Sequence, residues 1–185
     1  MTIKKALVPA MVLLTSLGTA NAAVNDDQGT VHFQGKVINP PCEVDTTSKA
    51  INVVFTPVGT NGFSGVGAEH SQTQDVSIKL NACPADTNIN LTFSGTTATT
   101  SDQLKATTGS EDTGLGIVLY GTGSAASQKV TFDNQPNSAF SQLTPAGVAS
   151  DLTFNYKAKL VATVNPADMK GGDFSADSTY TIYYP

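Results

Sequence analysis

Leu152, Phe154, Tyr156, Ala158, Leu160 and Ala162 alternate with Thr153, Asn155, Lys157 and Lys159. A period of two puts every apolar side chain on one face of an extended chain and every polar one on the other. The stretch therefore reads as a long antiparallel strand with one face in a core and one in water. The same rule recurs at Val76, Ile78 and Leu80; at Ile89, Leu91 and Phe93; at Leu115, Ile117 and Leu119; and at Tyr180, Ile182 and Tyr184. Residues 37–44 and 51–55 supply further short strands. Apolar spacing at three and four residues, the mark of an amphipathic helix, is nearly absent. Gly, Ser, Thr, Asn and Pro cluster at 57–67, 94–110 and 121–127, where they predict turns and irregular loops.

The N-terminal 22 residues have a different character. Lys4 and Lys5 precede an apolar run from 6 to 17, and Ala20-Asn21-Ala22 gives a small-x-small cleavage site. That is the layout of a secretory signal, and the run is too short to be a membrane anchor. Removing residues 1–22 leaves 163 of the 185 residues, enough for one compact domain. Fifteen acidic residues against the eight remaining lysines give that part a formal charge of −7, and there is no arginine. An acidic chain without guanidinium forks is unsuited to phosphate and base-edge recognition, so nucleic acid is excluded as a partner. The two cysteines, Cys42 and Cys83, would meet an oxidising compartment on export and join. Closing a loop of that length stabilises a fold by about 3 to 4.5 kcal/mol in the chain-entropy picture. Seven or so short strands, one disulfide and long polar loops point to an all-β, immunoglobulin-like β-sandwich. The lack of tryptophan and a cysteine on the first strand separate it from antibody-type domains.

Gly29-Thr30-Val31-His32-Phe33-Gln34-Gly35 precedes the first segment that the cystine ties down. Gly29, Val31, Phe33 and Gly35 share one side of it, and Thr30, His32 and Gln34 the other. An arm with one apolar face is built to be buried. Together with residues 39–45 around Cys42, Leu80-Asn81-Ala82-Cys83, a glycine fourteenth from the end (Gly172) and a penultimate tyrosine (Tyr184), the arm resembles the pilins of the chaperone–usher pathway, most closely the major subunit of type 1-like fimbriae.

The resemblance implies an incomplete immunoglobulin-like sandwich lacking its last strand and completed by donor-strand exchange. Residues 1–22 are then the signal peptide, 23–35 a donor-strand extension and 36–185 the pilin domain. Gly29, Val31, Phe33 and Gly35 become the donor strand. Gly172, Tyr180, Ile182 and Tyr184 become the acceptor groove and the strand that faces the chaperone. Implied partners are neighbouring pilin subunits, a periplasmic chaperone and an outer-membrane usher. The implied function is that of a structural subunit of an adhesive fimbria, exported through the periplasm to the bacterial cell surface. The alternative is a minor or adaptor pilin, or a fimbrial module that itself binds a host receptor. A single domain that begins with an arm and lacks tryptophan for stacking on sugars favours the structural subunit.

Chemistry-bearing motifs are few, and no catalytic residue, metal site or cofactor is expected. Asp112-Thr113-Gly114 spells an aspartic-protease triplet but occurs once, where that chemistry needs two opposed carboxylates; it reads as a turn. His32 and His70 are the only histidines, too few for a copper and zinc centre. Gly121-Thr122-Gly123-Ser124 lacks the lysine and helix of a phosphate loop. Asn90-Leu91-Thr92 fits a glycosylation acceptor, but also a strand with Leu91 facing inward.

Overall fold

The computed structural model describes residues 30–36 and 41–185. The chain divides into two units, Met1–Val37 and Ile38–Pro185. In the first, residues 30–36 carry no strand, and Val31 and Phe33 are 73% and 89% exposed.

The second unit is two sheets with a core between them. Eight strands follow in chain order: β1 (Glu43–Val44), β2 (Glu69–Cys83), β3 (Asn88–Gly95), β4 (Leu104–Thr108), β5 (Glu111–Tyr120), β6 (Gln142–Leu143), β7 (Ser150–Ala162) and β8 (Ser178–Tyr183). Short 3-10 turns are the only helical elements among the described residues. The larger sheet has the order β1-β2-β7-β5-β4 and the smaller one β6-β3-β8, with every named pairing antiparallel.

Alternation decides what each strand contributes. β2 sends Val76, Ile78 and Leu80 inward, and β7 sends Phe154, Tyr156 and Ala158. β3 answers from the other sheet with Ile89, Leu91 and Phe93, whose ring meets Tyr156 edge-on at 5.3 Å. Cys42 and Cys83 form a disulfide inside this core. Phe63, Ala106, Leu115, Leu160 and Ala162 form a second, smaller cluster toward one end.

Several segments depart from the sequence expectation. Residues 51–55 alternate like a strand but pair with no other described strand. Of 37–44, only Glu43–Val44 is a strand, and residues 37–40 lie outside the described residues. The segment 94–110 is not all loop, because Leu104 and Ala106 turn inward on β4. Asp112-Thr113-Gly114 sits inside β5 at a register shift, with Gly114 at φ +76°. The outward side of β3 is dry as well: Asn90 donates to the Asn137 carbonyl at 2.6 Å and Thr92 to Asn134 Oδ1 at 2.8 Å, so residues 134–141 cover it.

Candidate functional site

β8 has a neighbour on one side only. It pairs with β3 from Asn90↔Tyr183 to Gly95↔Ser178, and its other edge bears no strand among the described residues. Facing that edge is the segment 49–58, which likewise takes part in no ladder among them. Two backbones that each lack a partner thus flank one groove.

Local sequence explains why the first of these backbones leaves the larger sheet. Asp45 accepts from the Thr47 N–H at 2.9 Å and caps the 3-10 turn Thr46–Ser48, which ends the pairing of β1 with β2 after two residues. Hydrogen bonds from Thr47 and Asn81 hold the Asp45 carboxyl at about 2, below its ordinary 3.8. Ser48 then acts as a pivot. Its Oγ accepts from the Lys79 N–H of the larger sheet at 2.9 Å, while its carbonyl accepts from the Tyr180 hydroxyl of the smaller one at 2.7 Å. Burial pushes the Tyr180 hydroxyl above its usual value, so it stays protonated and able to donate. At the far end, Tyr184 Oη accepts from the Cys42 N–H at 2.7 Å.

Past the pivot, Val53 and Phe55 turn onto the core from one wall, and Tyr180 and Ile182 from the other. A cavity of about 500 Å³ lies among Val53, Phe55, Phe63, Leu115, Met169 and Phe174, and the rings of Phe55 and Phe174 stand 6.4 Å apart. Gly172, at φ +136° in a region closed to most L residues, lines this cavity and turns the chain toward β8. The lining mixes these apolar side chains with Asn52, Thr56 and Lys170, and Lys170 pairs with Glu111. A hydrogen bond from Lys170 and its charge lower the Glu111 carboxyl below its ordinary value.

Of the residues singled out by sequence, Tyr180 and Ile182 lie on β8, Tyr184 follows its end, and Gly172 lines the cavity ahead of it. Val31, Phe33 and Gly35 lie on the arm, exposed, and Gly29 lies outside the described residues. Ser48, Phe63 and Phe174 were not anticipated. Phe63 and Phe174 stand alone among turn residues, so no period marks them; only an isolated aromatic in a polar loop hinted at a buried anchor.

The family described as "Fimbrial protein" matches residues 31–185. KS71A fimbrillin of Escherichia coli is 27% identical, the match covering 95% of this chain and 94% of the relative. The fimbrial subunit type 1 of Salmonella typhimurium is 30% identical, over 84% of this chain and 82% of its own length. Among solved structures, the P pilus rod subunit PapA superposes with a TM-score of 0.64 at 22% identity, over 79% of this chain and all of that one, a likeness of fold.

Proposed function

The chain belongs to the fimbrial protein family and is a structural pilin, and from that premise we propose that it polymerises by donor-strand exchange: residues 29–35 of one subunit lie along β8 of the next. One observation carries this reading. Among the described residues the β8 edge bears no strand, while Tyr180 and Ile182 of β8 and Val53 and Phe55 of the unladdered segment 49–58 pack onto the same core.

The arm has the chemistry to cover that edge. Burying Val31 and Phe33 contributes roughly 1.5 to 3 kcal/mol each, and each ladder bond along β8 roughly 0.5 to 1.5 kcal/mol net. The glycines at 29 and 35 let backbones approach where the groove is shallow. Strand addition to an exposed edge is a general mode of recognition, of which pilin complementation is a known case. A periplasmic chaperone that lends a strand to β8 before assembly, and an outer-membrane usher that receives the complex, complete the route to the cell surface. The family's role is structural, and no catalysis enters this reading.

The decisive experiment compares the unaltered mature chain with a variant whose residues 29–35 are moved to the C-terminus. The first should self-assemble, and the second should be a stable monomer that melts higher than the unassembled chain. If the unaltered chain stays monomeric and melts at the temperature of the variant, donor-strand exchange is refuted.

A further inference from the structure

The larger sheet contains a second edge that could accept a strand. β7 pairs with β2 along almost its whole length, but β5 accompanies it only from Leu115↔Ala162 to Tyr120↔Lys157. Before Lys157 the β5 side of β7 carries no strand among the described residues.

The hydrogen-bond parity of that stretch follows from β2. Lys79 turns its N–H to Ser48 Oγ and its carbonyl to the Asp45 N–H, both on the side away from β7. Its opposite number Thr153 is therefore in a non-hydrogen-bonded pair and turns its own N–H and carbonyl toward the open side. Asn155, opposite Ser77, has the same parity.

Had β5 continued, Thr122 would lie opposite Asn155. Instead the chain leaves the sheet: the Gly121 N–H donates to the Gln128 carbonyl, and the turn Gly123–Ala125 follows. Two side chains occupy the vacated bonding positions. Thr122 Oγ1 donates to the Asn155 carbonyl at 3.2 Å, and Gln142 Nε2 donates to the Thr153 carbonyl at 3.0 Å. Beside them lies a slot of about 210 Å³ walled by Ser124, Ala125, Ala139, Phe140 and Ser141.

We propose that Thr122 and Gln142 hold shut a cryptic strand-acceptor edge on β7; the strand they exclude is the arm of a second copy of this chain. The inference rests on the donor-strand reading only for the source of the excluded strand. An arm laid along this edge would turn its backbone toward Thr153 and Asn155 and one row of its side chains toward Phe140. Such an arm has to displace two hydrogen bonds before it can make its own. A polymer whose every subunit carries a free arm needs one acceptor edge to win, because pairing at β7 would branch or cap the fibre.

The test uses the mature chain, an excess of a synthetic peptide of residues 29–37 with a photo-crosslinking phenylalanine at position 33, and mass-spectrometric mapping of the adducts. Wild-type chain should be labelled beside β8, with little at β7. The Thr122→Val/Gln142→Leu variant should gain labelling around Thr153 and Asn155 about tenfold, the value of two displaced hydrogen bonds. Thr122→Ser, which keeps the hydroxyl, should behave as wild type. A folded double variant labelled at β7 no more than wild type, or a wild type already labelled there as strongly, overturns the proposal. If the double variant does not fold, Thr122→Val alone decides by the same comparison. Absence of labelling beside β8 in every chain strikes the donor-strand reading and leaves the β7 comparison to stand by itself.

Discussion

Replacing Phe33 by alanine separates the arm's role in assembly from any role in the subunit. In the unassembled chain the ring is 89% exposed, so its removal should change subunit stability by no more than about 0.5 kcal/mol. On the donor-strand proposal the same ring is buried against the groove of the next subunit, where its loss would forfeit about 1.5 to 3 kcal/mol of transfer free energy and up to about 5 kcal/mol if the vacated space does not collapse. A loss of about 2 to 4 kcal/mol per junction corresponds to a weakening of roughly 30- to 1000-fold. The assay pairs two denaturant titrations, fibre dissociation followed by light scattering and subunit unfolding followed by circular dichroism. The dissociation midpoint should fall sharply while the unfolding midpoint stays in place. Equal shifts of both, or a fibre midpoint that does not move, refute the assignment of Phe33 to the groove.

Three further outcomes follow from the same geometry. Tyr180→Phe removes the donor to the buried Ser48 carbonyl and should cost about 1 kcal/mol or more, lowering the melting temperature of the subunit by about 2 to 4 °C in calorimetry. Gly114→Ala drives a Cβ into Val164 Cγ2 at φ +76° and should lower the melting temperature by about 4 to 8 °C, whereas alanine at the open Gly65 should be near neutral. Asp45, held at about 2 against an ordinary 3.8, contributes stability that is complete above pH 4 and lost as the pH falls toward 2. The gap in denaturation midpoint between wild type and Asp45→Asn should therefore close across that window, and a gap that does not change with pH counts against the cap.

Strands with three or more apolar residues at every second position were legible from that period alone: β2, β3, β5, β7 and β8 all carry it. What escaped reading depends on partners or on backbone detail. Residues 51–55 have the alternation of a strand, yet a strand exists only where a ladder does, and they pair with no other described residues. β4 hid between polar residues because only Leu104 and Ala106 point inward. The triplet at Asp112 reads as a turn from its residues, but the left-handed Gly114 lets β5 absorb a register shift and continue. For the groove, the β8 tyrosines announced themselves by period, while the opposite wall depends on Ser48, whose two hydrogen bonds to separate sheets leave no trace in composition.

Residues 49–58 take part in no main-chain hydrogen bond among the described residues and are largely exposed. Their amide protons should trade with deuterated solvent almost as freely as those of a peptide, whereas those of the core strands resist. A neighbour laid beside them would switch that exchange off without moving any core strand, so the segment is a built-in gauge of whether a given subunit is vacant or filled.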